Sequence, residues 1–373
     1  MKLPDTWMAC AALTALTAVS LAQAPDTAIV KHDFEGTDHG WTALGETARL
    51  TLTTSEGTFK NGKSALKFEY LVEAGEPAAL MLPVTQAPPT TLKSIRFWVK
   101  SPVAMPLIVV LQERDGGRYQ ATVAVPAGVW QRVELALSDF SLGTDANDPK
   151  DPNNKLDIDR LEAVALADLA QMLVGGLEPE TLDMLGIKTG ARLFYVDDIE
   201  ASTAALPEPV AAAGEALIDG FARPHLSWVV TGPVRAKVVE EKPLDGKGMR
   251  LEYDLEEGKI AAAMKTVMPG ALAKADRLLL TMASAKPTSV LVQVEENSGG
   301  KYDTIVSLDG GQKLQNLTLK LADFTPSNDS KDDNGKLDRD KIKQIVIADL
   351  SFMGGGAGAN TLWVGRIRAV KAD

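Results

Sequence analysis

The sequence predicts an all-β protein built from two tandem β-sandwich domains. Three observations lead to this prediction: the chain repeats itself at a nearly constant offset, each copy contains many short apolar or alternating runs, and strong amphipathic helix patterns are scarce. A chain of 373 residues also exceeds what one ordinary hydrophobic core fills, and two domains account for that length.

The repeat is clearest in segments that look like strands. Three pairs match at an offset of 183 positions: LKFEY (66–70) with MRLEY (249–253), IRFWVKS (95–101) with LLLTMAS (278–284), and LIVVLQERDGGRY (107–119) with VLVQVEENSGGKY (290–302). Further along, VALADL (164–169) matches IVIADL (345–350) at an offset of 181. A period this long indicates a duplicated domain, and small changes of offset indicate loop insertions.

Within each copy, runs of about five to seven residues are bounded by Gly, Pro, Asp or Asn, which is typical of short strands. The pairs Gly116-Gly117 and Gly299-Gly300 suit tight hairpin turns, where a positive φ is needed. A short helix is predicted at 178–185, where the first copy is longer than the second by 13 residues because the offset falls from 181 to 168. Many short strands with few helices favour sandwiches.

The predicted organisation is a signal peptide at 1–22, a first domain at 31–201, an Ala/Pro-rich linker at 202–216 and a diverged second domain at 217–371. The run at 8–22 has the length of a signal-peptide core, and cleavage is expected after Ala22. Cys10 is the only cysteine and lies within this leader; a lipid anchor there is the alternative. The mature chain then has no disulfide, so two hydrophobic cores must hold it together.

Charge and motifs narrow the classes of function. A net charge of −11 argues against nucleic acid and anionic membranes as partners, and no segment after the leader is apolar enough to span a membrane. The chain has three histidines, His32, His39 and His225, and carries no recognisable nucleophile, phosphate-loop or zinc-protease motif. The sequence therefore predicts a protein that is not an enzyme, although a pair of catalytic carboxylates stays open.

The first copy contains an ordered series of motifs: DFEGTDHGW (33–41), NGKSALKFEY (61–70), GVWQRVELALSDF (128–140) and LFYVDDIEA (193–201). This series resembles the galactose-binding-domain-like jelly rolls, in particular the family eleven carbohydrate-binding modules and the complex I intermediate-associated protein thirty type. The resemblance covers nearly all of 31–201 and implies two tandem jelly-roll β-sandwich domains. The second copy is similar but diverged, with Leu314 in place of Trp130 and Gly365-Arg366 in place of Asp197-Asp198.

A sugar-binding face is expected in the first copy, because jelly rolls of this kind use an outer sheet face. Strand alternation places Trp98 on the side opposite to Phe97 and Val99. The candidate ligand-binding residues are those that alternation puts outside: Arg96, Trp98, Gln112, Arg114 and Gln120. The alternative is that a loop or the other domain covers Trp98. The other tryptophans expected in a core are Trp41, Trp130, Trp228 and Trp363.

The resemblance also implies a structural Ca²⁺ in the first domain, held by Glu35, Asp197 and Asp198. Hard carboxylate oxygens from distant parts of the chain suit this ion, and an ordinary acidic edge is the alternative. The acidic loops at 143–157 and 327–338 do not fit an EF-hand, because Ser330 and Lys341 would occupy its first and twelfth positions. They are expected to be solvated loops that end in caps of helical turns.

The function predicted first is an exported, non-catalytic carbohydrate-binding protein of the periplasm, the cell surface or the medium, whose partner is a polysaccharide or a cell-envelope glycan. The alternative is a structural or protein-interaction module with a protein partner and no sugar ligand. An unrecognised hydrolase is the third interpretation. The second copy is expected to act as a stabiliser or spacer.

Overall fold

The computed structural model describes residues 28–75, 77–114, 116–143, 150–208, 210–268, 270–351 and 358–371. The predicted signal peptide at 1–22, with Cys10, lies outside these residues. Within the described ranges the chain forms 25 β-strands and two short α-helices. The all-β prediction is confirmed.

The first domain is a sandwich of two six-stranded sheets. Its elements are, in chain order, β1 (Ala28–His32), β2 (Thr42–Leu44), β3 (Arg49–Thr53), β4 (Ala65–Val72), β5 (Ala79–Pro83), β6 (Ser94–Lys100), β7 (Met105–Glu113), β8 (Arg118–Val125), β9 (Gln131–Ala136), β10 (Ser141–Leu142), β11 (Leu161–Asp168), α1 (Ala170–Gly176), α2 (Pro179–Met184) and β12 (Gly190–Ser202). The front sheet has the order β3-β4-β12-β6-β9, with β1 also paired to β12. The back sheet has the order β10-β8-β7-β11-β5-β2.

Alternation along the strands builds the core between these two sheets. In β6 every second residue is buried, so Phe97 and Val99 face inward from the front sheet. Leu107, Val109 and Leu111 of β7 face them from the back sheet, and all five belong to one core cluster. The outward faces of the two sheets therefore point in opposite directions, because the core lies between them.

The second domain repeats this plan. Its strands are β13 (Glu215–Asp219), β14 (Val229–Thr231), β15 (Val234–Glu240), β16 (Lys247–Leu255), β17 (Ala261–Thr266), β18 (Arg277–Ser284), β19 (Thr288–Glu296), β20 (Lys301–Leu308), β21 (Gln315–Lys320), β22 (Thr325–Pro326), β23 (Ile342–Asp349), β24 (Gly358–Val364) and β25 (Ile367–Val370). Its front sheet has the order β13-β25-β18-β24-β16-β15 with β21 on β18, and its back sheet has the order β14-β17-β23-β19-β20-β22. The counterpart of β12 is split into β24 and β25 at Gly365-Arg366.

A buried tyrosine–aspartate pair joins the two sheets of each sandwich. In the first domain, the Tyr70 hydroxyl of β4 donates to Asp168 Oδ2 at the end of β11 over 2.9 Å, and Arg192 Nη1 lies 2.8 Å from the same oxygen. In the second domain, the Tyr253 hydroxyl of β16 donates to Asp349 at the end of β23. Burial without such donors would be costly for either carboxylate. Burial raises the pKa of both tyrosines, so both hydroxyls stay protonated.

A second tyrosine in each domain fixes the acidic loop. Tyr119 of β8 donates to Asp151, and Tyr302 of β20 donates to Asp332. Asp151 is only 7% exposed, so this loop is not simply solvated as its sequence predicted. Four of the five tyrosines in the chain thus donate to aspartates, and three of these aspartates, Asp151, Asp168 and Asp349, are buried.

The repeated Gly-Gly pair is explained by a buried glutamate at each hairpin. Glu113 and Glu296 are 1% and 0% exposed, and each accepts a backbone N–H from the acidic loop of its own domain. A Cβ on Gly117 would lie 2.5 Å from Glu113 Oε2, and one on Gly300 would lie 2.7 Å from Glu296 Oε2. The preceding Gly116 and Gly299 have φ of 111° and 94°, as the predicted turns require.

One segment of the second domain seals an edge of the first. The Ala124 N–H of β8 donates to Leu226 O over 2.8 Å, and the same segment continues as β14 of the second back sheet. Arg223 Nε lies 2.9 Å from Asp139 Oδ2 of the first domain, and Arg223 Nη1 donates to Pro207 O of the linker. This arrangement covers a strand edge that would otherwise expose unpaired backbone groups.

The longer insertion of the first domain makes a second contact between the domains. Helix α2 lies where the sequence predicted a helix, and α1 was not predicted, since its sequence AQMLVGG lacks a polar face. The Gly232 N–H donates to Leu185 O over 2.7 Å, and Lys259 Nζ lies 2.5 Å from Asp183 Oδ1. The insertion therefore bridges to the second domain.

Helices of the described residues are all too short or too polar to cross a membrane.

Replacing the buried tyrosines should show what their hydroxyls contribute. We expect Tyr253→Phe to lower the free energy of unfolding by about 1–3 kcal/mol, because a buried carboxylate loses a donor. Tyr70→Phe should cost less, since Asp168 keeps the Arg192 guanidinium. Urea unfolding measures both, with Tyr195→Phe at a half-buried outer position as the control. Equal losses of unfolding free energy in all three variants would contradict a stabilising role of the two buried hydroxyl groups.

The domain contact should weaken in acid because of His225, which is 3% exposed. Its Nδ1 accepts the Glu134 N–H at 3.4 Å, and burial, followed by Lys265 and Arg223, lowers its pKa to about 3. When the pH is below 6.5, the imidazole is neutral in the folded protein but takes up a proton on unfolding. Its contribution to the stability of the folded protein is therefore complete above pH 6.5 and declines below it. The slope is at most about 1.4 kcal/mol per pH unit.

His225→Asn should remove this part of the pH dependence. The unfolding midpoints of the wild-type and variant proteins, measured from pH 7.5 to 4.5, should approach each other as the pH falls. Parallel pH profiles of the two proteins would contradict the assignment.

Candidate functional site

Three half-buried aromatic rings lie on the outward side of the first domain's front sheet. Trp98 is on β6, Tyr195 is on β12, and Trp130 immediately precedes β9. The ring centroids of Trp130 and Tyr195 are 6.5 Å apart. These three residues define what is called here the aromatic face.

Strand alternation places these rings outside. In β12, Phe194 and Val196 are fully buried in the core, so Tyr195 between them faces outward. The sequence prediction missed Tyr195, although the alternation in LFYVDDIEA is the signal that would have found it. The core prediction for Trp130 is wrong, because this residue lies just before β9 and packs beside Tyr195 instead.

The other tryptophan predictions have different outcomes. Trp41 and Trp228 are 4% and 0% exposed and belong to the two main cores, as predicted. Trp363 is 6% exposed, but it belongs to a separate small cluster outside the second main core.

A lysine covers part of Trp98. Lys60 Nζ lies 4.4 Å from the centroid of the Trp98 ring, which is the geometry of a cation–π contact. Lys100 Nζ donates to Gly57 O over 2.9 Å, so the segment 57–60 crosses the sheet close to this ring. Of the two alternatives for Trp98, the structure therefore shows a ring that is partly covered by a loop of its own domain.

Two carboxylates hold this loop in place. Asp197 Oδ2 accepts the N–H groups of Lys60 and Asn61 at 2.7 and 3.0 Å, at a bulge in β12. Glu35 Oε1 accepts the N–H groups of Lys63 and Ser64 at 2.8 and 3.1 Å. Asp197 is fully buried, and this burial raises the pKa of its carboxyl against the opposing effect of the N–H donors.

The three residues predicted to bind calcium, Glu35, Asp197 and Asp198, all contact the loop at 60–64. No group of three or more acidic or histidine side chains able to hold a metal occurs among the described residues. Glu35 and Asp197 use their oxygens to accept N–H groups of the loop at 60–64, and Asp198 pairs with the Asn61 side chain. These contacts hold the loop in the structure, and the calcium site stays a prediction.

The five predicted sugar-binding residues do not form one patch. Arg96 and Trp98 lie on the front sheet, whereas Gln112 and Gln120 lie on the back sheet and Arg114 in its β7–β8 hairpin. The prediction of a common patch is wrong because strand alternation identifies outward residues without saying to which sheet a strand belongs. Arg96 is itself engaged, with Nη1 3.2 Å from Glu200 Oε1 and Nε 3.9 Å from Glu134 Oε1.

The corresponding face of the second domain is closed. Trp363 occupies the position of Tyr195 at an offset of 168, and it is buried with Leu244 and Val239 in the small cluster, against which Leu314 packs. Thr281 stands at the position of Trp98, and a Cβ on Gly365 would lie 2.1 Å from Thr281 Oγ1. The open aromatic face is therefore a feature of the first domain.

No protein-family model and no curated protein matches the chain. Among solved structures, a family 11 carbohydrate-binding module from Clostridium thermocellum, in complex with a beta-1,3-1,4-mixed-linked tetrasaccharide, is 16% identical over 48% of this chain and 96% of its own, with a TM-score of 0.35. A tandem pair of family 22 carbohydrate-binding modules from Paenibacillus barcinonensis is 16% identical over 94% of this chain and 100% of its own, with a TM-score of 0.30. An exo-beta-agarase is 13% identical over 52% of this chain and 27% of its own, with a TM-score of 0.35. Family 11 is also the family that the sequence motifs resemble.

Asp197→Asn should loosen the loop that lies beside Trp98. An amide group cannot accept all the N–H groups that the carboxylate accepts, so we expect a loss of about 2–3 kcal/mol in the free energy of unfolding. Asp198→Asn is the matched control. Asp198 is more exposed, and it accepts a hydrogen bond from the Asn61 side chain instead of from the main chain of the loop. Thermal unfolding should show the same loss of stability in the presence of calcium as in the presence of a chelator.

A wild-type midpoint that rises in calcium, with the rise abolished by Asp197→Asn, would contradict this role and support the calcium site predicted from sequence.

Proposed function

We propose that the protein is an exported, non-catalytic carbohydrate-binding protein that holds a saccharide on the aromatic face of its first domain. The observation that carries this proposal is the set of three half-buried rings, Trp98, Trp130 and Tyr195, on one outward sheet face. The second domain has the same fold but has lost or buried the equivalent rings. The two copies therefore differ at this face.

The chemistry of the face suits a sugar ring. Aromatic side chains offer large apolar areas in a fixed orientation, and the C–H face of a pyranose is flat enough to pack on them. Charged side chains around the rings, including Lys67 and Arg132, supply donors for hydroxyl groups. Because the face is an open sheet surface, the ligand is expected to be a segment of a polymer.

The second domain serves as a stabiliser in this proposal. It covers the Ala124 edge of the first domain and holds Asp139 through Arg223. These contacts fix the first domain without occupying the aromatic face. Of the two roles predicted from sequence, stabiliser and spacer, these contacts favour the stabiliser.

A protein-interaction module without a sugar ligand is the second candidate. The observation that favours it is the set of large apolar side chains exposed on both domains, including Val129 at 53% and Ile305 at 60%. A protein partner would bury such side chains. Under this alternative, the contact of Lys60 with the Trp98 ring means that the chain itself already covers part of the aromatic face.

The export prediction comes from the leader pattern at 1–22, and the proposal places the mature protein in the periplasm, at the cell surface or in the medium. A Ca²⁺ ion in the first domain is not needed for the proposed binding, because the loop at 60–64 is held by protein groups.

Removing either ring should weaken sugar binding. We expect Tyr195→Ala and Trp130→Ala each to weaken binding by about tenfold or more, since each removes a stacking surface worth roughly 1–2 kcal/mol. A glycan array with residues 23–373 identifies the ligand, and titration calorimetry then measures the affinity of each variant. Ile305→Ala removes an exposed apolar side chain of the second domain and should bind as the wild type does.

Folded protein that binds no glycan would reject the proposal in favour of the interaction module. Binding that survives the loss of both rings would place the sugar elsewhere on the molecule.

A further inference from the structure

Two lysines beside the aromatic face have no carboxylate partner among the described residues. Lys60 Nζ lies over Trp98, and Lys100 stands directly opposite Tyr195 in the pairing of β6 with β12. Neither lysine takes part in the ion pairs of the described chain; Lys100 Nζ donates to a backbone carbonyl instead. The chain has a net charge of −11, so these two lysines place positive charge at the rings of an acidic protein.

Two other cations near the rings are paired with carboxylates on the same sheet. Lys67 Nζ lies 2.7 Å from Glu69 Oε1, and Arg132 Nη2 lies 2.7 Å from Glu134 Oε1. Lys60 and Lys100, next to Trp98 and Tyr195, therefore differ from these two in having no ion pair within the described part of the chain. Positive charge and aromatic surface lie together.

The second domain lacks both the two lysines and the open rings. At the offset of 183, Pro243 replaces Lys60 and Ala283 replaces Lys100, while Thr281 replaces Trp98. At these three corresponding positions the second domain therefore keeps neither the cations nor the ring. The two lysines and the open rings thus occur together in the first domain.

We propose that the aromatic face takes an anionic polysaccharide, in which the sugar ring packs on Tyr195 and Trp130 and the acidic group meets Lys60 and Lys100. This inference rests on the proposed function and names the class of ligand for that site. The acidic group is a uronate carboxylate or a sulfate ester, since both are anions that an ammonium group binds. The cation–π contact of Lys60 at an exposed ring is weak enough for an incoming anion to redirect that side chain.

The test compares three soluble polymers: alginate, which carries carboxylates, a sulfated galactan, and a neutral mixed-linkage β-glucan. We expect the wild-type protein to bind at least one anionic polymer more tightly than the neutral one, with an affinity that falls as salt is raised from 20 to 300 mM, because salt screens exposed charges. The double variant Lys60→Gln/Lys100→Gln should weaken anionic binding by about five- to tenfold and leave any neutral binding within about twofold.

Lys237→Gln is the matched control, an exposed lysine on β15 of the second domain, and should change nothing. The two anionic polymers separate carboxylate from sulfate as the recognised group. Binding to the neutral glucan that depends on Tyr195, without preference for either anionic polymer, would overturn this inference and leave the proposed function standing. Anionic binding unchanged in the double variant would also overturn it, and failure to bind all three polymers, with a silent glycan array, would overturn both.

Discussion

Buried carboxylates that accept hydrogen bonds hold this protein together in the absence of disulfide bonds among its described residues. In each domain one aspartate is bonded to a tyrosine of the opposite sheet, and one glutamate at a hairpin is bonded to the backbone of an acidic loop. A buried carboxylate is costly unless its oxygens are satisfied. Each of these carboxylates therefore ties a loop or a neighbouring sheet to the strand that carries it.

The candidate site depends on the same principle. Asp197 is buried in the front sheet of the first domain, and its oxygens fix the main chain at Lys60 and Asn61. That attachment places the Lys60 side chain over Trp98 and keeps Tyr195 and Trp130 accessible beside it. In the second domain Gly365 replaces Asp197, and the equivalent loop instead packs Leu244 against Trp363. The open and the closed face thus differ at this carboxylate as well as at the rings themselves.

Each of the two domains contributes a segment that contacts the other. The second domain contributes its segment at 223–231, which covers a strand edge, bonds Asp139 through Arg223 and buries His225. The first domain contributes the insertion with α2, which contacts the second domain in return. The diverged copy therefore supports the first domain, and its own outer face has been filled by apolar side chains.

The sequence alone determined the duplication, the strands, the hairpins at Gly116 and Gly299, and the inward side of β6, because a repeat and a two-residue alternation are local patterns. It could not determine which outward residues meet. Gln112 and Trp98 both face outward, yet they lie on opposite sides of the sandwich, because sheet membership depends on pairing between distant strands. Tertiary structure likewise decided that Glu35 and Asp197 bind the backbone of the loop at 60–64, since only the folded chain brings those donors to the carboxylates.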